Sequence, residues 1–447
     1  MFSRYICVVS AIAVAACFTP FTVRGATNSD ILEIRTEIKA MKKAYEDRIK
    51  TLETKLETLE KNEKTTAKTT SSSSGGRSIK DNSFNPSVGV IMNGRVSGFS
   101  RSTSEIAGFG PGEEGERGKE GLAVDESELN FSANVDDKFY GSLTAALVRE
   151  DGSDKVELEE AFIQTLPDLG LPDGARLKVG RAFWTFGYLN EHHSHSDDFA
   201  DRPLPNRVYL NQNFNDDGVE ISYVLPTDFY SEIGGGVFRG DDFPAGGSSS
   251  GLGAWSAFAR VGGDVGDNQS WRLGGYVLRS DVNSRSTNED VLTFIGKSNL
   301  YATDIRYTWA PTGNSRQQEL IAQAELFYRD EDGTYNDSDT GTGTVFSNEN
   351  SFGWYAQAVY KFTPAWRIGG RYSQLNAPST PPGLEGSVVD AQGHNPYNIG
   401  FMGDWTNSEF GRVRLQYNRE KLAKGSADNQ FLLQYIMSIG AHGAHAF

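Results

Sequence analysis

In DNQFLLQYIMSIGAHGAHAF, residues 428–447, Phe431, Leu433, Tyr435, Met437 and Ile439 fall on one parity, and Gln434 and Ser438 fall on the other among Leu432 and Ile436. A period of two belongs to an extended strand with one greasy face. Moving upstream, GRVRLQYNRE (411–420) sets Val413, Leu415 and Tyr417 against Arg412, Arg414, Gln416 and Asn418. SFGWYAQAVYKF (351–362) sets Trp354, Ala356, Ala358, Tyr360 and Phe362 against Tyr355, Gln357 and Lys361. ELIAQAELFYRD (319–330) sets Leu320, Ala322, Ala324, Leu326 and Tyr328 against Gln323, Glu325 and Arg329. A soluble sandwich shows such alternation too, but has little need for Trp and Tyr at segment ends or for so many glycines. The pattern predicts an all-β protein, a transmembrane antiparallel β-barrel that is apolar outside and polar inside.

The 447 residues suffice for one large domain and an appendage. A formal net charge of −16, from 43 basic and 59 acidic residues, argues against a nucleic-acid partner. No apolar run of helix length follows residue 20, which excludes a bundle of membrane helices but not a barrel. The 26 Phe, 18 Tyr, 7 Trp and 49 Gly favour sheet.

Residues 1–25 read as an export signal: Arg4, an apolar core from Tyr5 to Cys17, then small residues suited to cleavage after Gly25. Val14–Cys17 also has the outline of a lipoprotein cleavage box. Both cysteines, Cys7 and Cys17, lie here, so ordinary cleavage leaves a protein with no disulfide scaffold. Over residues 29–64 the apolar positions Ile34, Ile38, Met41, Tyr45, Ile49, Leu52, Leu56 and Leu59 predict a coiled-coil helix, ~50 Å long. Isoleucine at several core positions permits a trimer, and a four-residue stutter at Tyr45 to Ile49 leaves the oligomer open. Residues 65–84 read as a flexible linker rich in Ser, Thr and Gly.

Residues 85–447 read as the barrel, with sixteen candidate strands at 86–99, 124–135, 139–149, 155–165, 175–187, 217–225, 229–239, 254–265, 270–281, 299–310, 317–330, 351–363, 366–377, 396–407, 410–420 and 428–440. Long polar connections alternate with short turns, as loops and periplasmic turns do. Seven are read as long: 101–123, 189–216, 240–253, 281–300, 331–351, 378–396 and 421–427. That alternation puts the N-terminal helix in the periplasm. Trp255, Trp271, Trp309, Trp366 and Trp405 at strand ends suit an interfacial girdle.

The polar parity supplies the expected pore lining. Its basic members are Arg95, Arg260, Arg272, Arg306, Arg329, Lys361, Arg367, Arg371, Arg412 and Arg414; its acidic members are Glu128, Glu220, Glu232, Asp304, Glu325 and Asp404. Lys361, Arg367, Arg371, Arg412 and Arg414 form a basic wall that leans toward anions; read more plainly, the charges line the pore and satisfy one another. The connection YLNEHHSHSDDFADRPLPNRVYLNQNFNDDG (188–218) is the longest and is expected to fold inward as a constriction. Within it His192, His193, His195, Asp197 and Asp198 have the chemistry of Zn2+ ligands, although neighbouring histidines seldom serve one tetrahedral centre. The acidic runs Asp241–Asp242 and Asp330–Asp332, and Asp337 with Asp339, suit loose Ca2+ binding or cation bridges to lipopolysaccharide, without EF-hand spacing. There is no GxSxG nucleophile elbow, no HExxH and no GxGxxG before a helix, and no enzyme is expected.

Phe447 resembles the terminal aromatic signal of bacterial outer-membrane barrels, and the layout is similar to that of general and phosphate-selective porins. More narrowly, the stretches 187–207, 236–247, 255–266, 405–420 and 428–447 resemble a proteobacterial outer-membrane family often labelled zinc-regulated or TonB-dependent receptor. The resemblance implies an outer-membrane location and a role in solute or metal passage. Where a TonB-dependent receptor carries a folded plug domain, this chain has one helix and a linker. The leading expectation is a passive porin for small hydrophilic solutes, a homotrimer in contact with lipid and lipopolysaccharide. A zinc- or ligand-binding uptake protein is the second expectation. The third is a structural barrel that anchors the envelope by periplasmic or cell-wall contact through the coiled coil.

Overall fold

The computed structural model describes residues 86–150, 153–247, 251–287, 291–337, 343–408 and 410–440. The expected export signal, coiled coil and linker lie outside these residues, as does Phe447.

Among the described residues one antiparallel sheet rolls up and meets itself. Its segments are β1 (Ser87–Phe99), β2 (Gly121–Val124), β3 (Ser127–Asn134), β4 (Phe139–Glu150), β5 (Ser153–Thr165), β6 (Ala175–Phe183), β7 (Asn215–Val224), β8 (Tyr230–Phe238), β9 (Ala254–Asp264), β10 (Gln269–Thr287), β11 (Leu292–Trp309), β12 (Glu319–Asp337), β13 (Gly343–Thr363), β14 (Trp366–Asn376), β15 (Tyr397–Ser408), β16 (Gly411–Ala423) and β17 (Ser426–Gly440). Two segments share one position in the wall: β1 pairs with β2 over Gly94–Ser97 and with β3 over Ser87–Ile91. The seventeen segments therefore fill sixteen positions, the number expected from the sequence. Closure is made by β1 against β17, with Gly440 opposite Gly89 and Gln430 opposite Phe99.

The alternation read from the sequence is the alternation of the wall. On β16, Leu415 is 60% exposed on the outer face while its neighbour Arg414 is fully buried inside. Phe431, Leu433, Tyr435 and Ile439 are exposed on β17, and Gln430, Gln434 and Ile436 are buried. An outer belt of exposed Leu, Ile, Val and aromatic side chains around a polar interior is what a hydrocarbon solvent selects, since each wall residue faces either hydrocarbon or the lumen. Trp271, Trp309, Trp366 and Trp405 are exposed beside the short turns, with the rings of Trp366 and Trp405 6.3 Å apart. Trp255 is exposed at the other end.

Strands β10 to β13 run well past the lengths expected. The connections anticipated at 281–300 and 331–351 are mostly strand, and β16 continues to Ala423. Polarity explains why. Beyond the apolar belt the outer face carries exposed Asp281, Asn283, Lys297, Asp332 and Asn336, whereas the inner face carries Val282, Leu292, Phe294 and Tyr335, packed with Leu384 and Val389. The preference of each face is reversed there, as befits a wall with water outside and packed protein inside. The acidic run at 330–332 consequently lies in β12 rather than in a loop. Glu331 is taken up by Arg285, 2.7 Å away. Asp242 pairs with Arg181 at 3.1 Å and Asp241 with Arg239.

Candidate functional site

The connection from β6 to β7, residues 184–214, folds into the barrel. It contains two short 3-10 turns, Leu189–Glu191 and Ser194–Ser196, and the helix α1 (Leu204–Leu210). Pro203 precedes α1 and Pro205 sits in its first turn, where the missing N–H has no helical partner to lose. Asn211 ends the helix in the left-handed region at φ 50°, a conformation asparagine tolerates. Every residue of α1 is buried.

Apolar packing seats one part of this segment. Trp184, Phe186, Leu204, Val208, Tyr209, Leu210 and Phe214 are buried against Phe238, Phe258, Tyr276 and Phe327 of the wall. The Tyr209 ring stacks on Phe327 at 5.9 Å and meets Phe109 edge-on at 6.2 Å. Its hydroxyl donates to Ser351 Oγ at 3.2 Å, and burial pushes the phenol up to about 12.

Charge seats the rest. The basic wall holds the segment rather than lining free space: Arg367 Nη1 lies 2.9 Å from Asp198 and Arg371 Nη2 2.6 Å from Asp201. Arg412 Nη2 donates to the carbonyl oxygen of His195 at 2.6 Å, and Arg414 Nη2 donates to that of Asp197 at 2.5 Å. Arg260 bridges Glu191 at 2.6 Å to Glu232 at 2.5 Å. Arg202 binds its own segment, 2.6 Å from Asp197 and donating to the carbonyl oxygens of Leu189 and His192. Glu325 accepts from the backbone N–H groups of Tyr188 at 2.5 Å and Leu189 at 3.0 Å. Removing one partner of such a buried pair leaves an uncompensated charge, which costs about 3–5 kcal/mol. The other residues expected to line the lumen also project inward: Arg95 pairs with Asp125 at 3.3 Å, Arg272 with Asp304 at 3.2 Å and Arg329 with Glu331 at 3.4 Å. Arg306 donates to Gln323 at 2.7 Å, Asp404 receives Arg367 at 2.6 Å, and Lys361 is half-buried.

The five residues proposed from sequence as zinc ligands are not gathered in one place. His192 stacks on Tyr188, shares a hydrogen bond with its carbonyl oxygen at 2.8 Å and is pushed down to about 4 by burial. Asp197 faces Arg202, and Asp198 faces Arg367. His193 and His195 alone turn to a common partner, Glu128: Nδ1 of His195 lies 2.7 Å from Oε1 and Nδ1 of His193 3.3 Å from Oε2. His192 and His193 have extended backbone between the two 3-10 turns, so their side chains leave in different directions. His193 also approaches Glu159 and Glu160. Neither of these carboxylates, nor Glu126 beside them, is marked by strand alternation in the sequence.

The fold and its filled lumen define a closed transmembrane-type barrel with an inward-folded connection. No family model matches the chain. It is similar to an uncharacterized protein of Aquifex aeolicus (strain VF5), 28% identical over 400 residues that cover 81% of this chain and 80% of that one. Among solved structures it is similar to the outer membrane protein OmpT of Vibrio cholerae, with 10% identity and a TM-score of 0.48 over 81% of this chain and 99% of that one. It is also similar to the outer membrane channel DcaP of Acinetobacter baumannii, with 12% identity and a TM-score of 0.48 over 79% and 97% of the two chains. A third is an anion-selective porin from Comamonas acidovorans, with 10% identity and a TM-score of 0.48 over 79% and 99%.

Proposed function

We propose that this chain is an outer-membrane channel that passes small hydrophilic solutes by diffusion, with residues 184–214 as its constriction. One observation carries the reading: a wall that is apolar outside and charged inside holds a polar, charge-bearing segment across its lumen by ion pairs rather than by a covalent link. The reading requires no catalytic residue. Solutes are sorted by the charges left beside the segment. Arg306 and Lys361 remain partly exposed and favour anions, while the rest of the basic wall is engaged by Asp198, Asp201 and the segment backbone. Its surroundings on this reading are outer-membrane lipid and two further copies in a trimer.

Planar-bilayer recording of the purified full chain tests it. Stepwise ohmic openings are expected, with a reversal potential in a KCl gradient that reports the anion preference. The apolar packing around Trp184, Tyr209 and Phe214 favours one rival, a sealed barrel that serves as an envelope anchor. A barrel that inserts and stays silent, even after the segment is released by substitution, would decide for the anchor.

A further inference from the structure

Glu128 and Glu159 reach one point from strands that are not neighbours, and two local features of the wall allow it. On β4, which separates β3 from β5, the residue opposite Glu128 is Ala146, whose single methyl group leaves space above it. Between β4 and β5 the register slips: Thr144 lies opposite Glu160 and Ala145 opposite Leu158, so Glu159 is the additional residue of a bulge. Bulges re-aim side chains, and here both Glu159 and Glu160 turn to His193 of the inserted segment. Glu126 arrives from the break between β2 and β3.

Ligand atoms of Glu126, Glu128, Glu159 and His193 lie within 4.8 Å of one another. His193 Nδ1 stands 3.3 Å from Glu128 Oε2 and 3.5 Å from Glu159 Oε2. All three atoms are buried, and apart from these contacts with one another none makes a hydrogen bond. Glu128, 1% exposed, comes from the rigid wall, so it does not swing out to water. The remaining atoms of the group are held from behind. His193 Nε2 is 3.0 Å from Glu160 Oε2, Glu128 Oε1 is 2.7 Å from His195 Nδ1, and Ser194 Oγ donates to Glu126 Oε2 at 3.3 Å. A carboxylate on the far nitrogen of an imidazole fixes the tautomer that leaves the near nitrogen's lone pair free, which is the usual support of a histidine ligand.

We propose that Glu126, Glu128, Glu159 and His193 bind one divalent first-row transition-metal cation of the zinc class, which ties the inserted segment to β3 and β5. Four carboxylates, Glu126, Glu128, Glu159 and Glu160, gather around His193 and His195, and a dication with a neutral His193 balances more of their charge than an imidazolium there. One nitrogen among three oxygens selects this class over Ca2+ and Mg2+, which favour all-oxygen cages. The site goes beyond the channel reading and stands whether or not the barrel conducts. It also differs from the histidine and aspartate set suggested by sequence, sharing only His193.

Equilibrium dialysis of the refolded full chain against Zn2+ tests it, with barrel formation of each variant checked by heat-modifiable mobility. One strongly held ion per chain is expected in the wild type and in His192→Ala. That ion is expected to be lost in His193→Ala and Glu128→Gln and weakened about 10-fold in Glu160→Gln. Should Glu128→Gln fail to form a barrel, Glu159→Gln from the bulge carries the same expectation. Excess Ca2+ should leave the bound Zn2+ in place. Absence of a strongly held ion, its persistence in His193→Ala and Glu159→Gln, or its displacement by excess Ca2+ would overturn the proposal and leave His193 as a protonated partner of the carboxylates. Because this readout is binding, a silent barrel in planar bilayers does not bear on it.

Discussion

Arg371 of the wall grips Asp201 of the inserted segment twice: Nη1 donates to the carbonyl oxygen and Nη2 to the carboxylate, each at 2.6 Å. Asp201 in turn accepts from Asn418 at 3.1 Å and from Gln416. One acidic residue thus joins the segment to β14 and β16 together.

Truncating that grip should release the segment without opening the wall. Arg371→Ala leaves the half-buried Asp201 without its cation, a loss smaller than the ~3–5 kcal/mol of a fully buried pair. Limited proteolysis is expected to cut within residues 184–214 in the variant and not in the wild type, and single-channel conductance to rise. Equal protease resistance would show that the Arg371 grip is not needed to seat the segment.

Seating should also weaken as pH rises through Asp197. Burial holds this carboxyl up at about 6 from 3.8, although Arg202 beside it acts in the opposite sense. A raised carboxylate value means that the folded chain binds the proton more tightly than the unfolded chain, so its contribution is full below 3.8 and is lost as pH climbs to about 6. The loss is at most about 3 kcal/mol, since each pKa unit is worth about 1.4 kcal/mol. Denaturant unfolding at pH 4.5 and 7.5 should show this slope in the wild type and a flatter one in Asp197→Asn.

Tyr209 separates packing from hydrogen bonding. Tyr209→Phe loses only the bond to Ser351 Oγ, worth about 1 kcal/mol, whereas Tyr209→Ala empties space against Phe327 and Phe109 and should lose about 3–5 kcal/mol. Thermal unfolding of the two variants checks the ratio.

The two faces of one strand should answer oppositely to charge. Leu415→Arg puts a cation on the outer belt and should lower the stability of the barrel in lipid by about 2–4 kcal/mol. Gln416→Lys, one residue on and facing inward onto the Asp201 carboxylate, should leave insertion into liposomes intact. If both variants inserted equally, the outer belt would not be a hydrocarbon-facing surface.

What could be read from the sequence was what obeys a regular period under a constant environment. Phe431, Leu433 and Tyr435, or Arg412 and Arg414, each keep one solvent along a whole strand, so parity alone places them. Where the surroundings change along a strand the rule inverts, and the upper parts of β10 to β13 looked like polar loops because their outward residues are those of a water-facing wall. The carboxylates around His193 were hidden for a different reason. In Glu159–Glu160 a regular strand sends one side chain out, and only the bulge opposite Thr144 and Ala145 sends both in. In the segment itself, adjacency in sequence suggested adjacency in space for His192, Asp197 and Asp198; the partners that claimed them, Tyr188, Arg202 and Arg367, include a wall residue far off in the chain.

The seam between Ser87–Phe99 and Ser426–Gly440 joins the first described strand to the last. Until β17 has been delivered, β1 and β16 each present an unsatisfied row of amides, and a half-built wall has nowhere to place them but against one another or against foreign strands. Shortening the chain within β17 should therefore abolish assembly outright instead of trimming its stability by degrees.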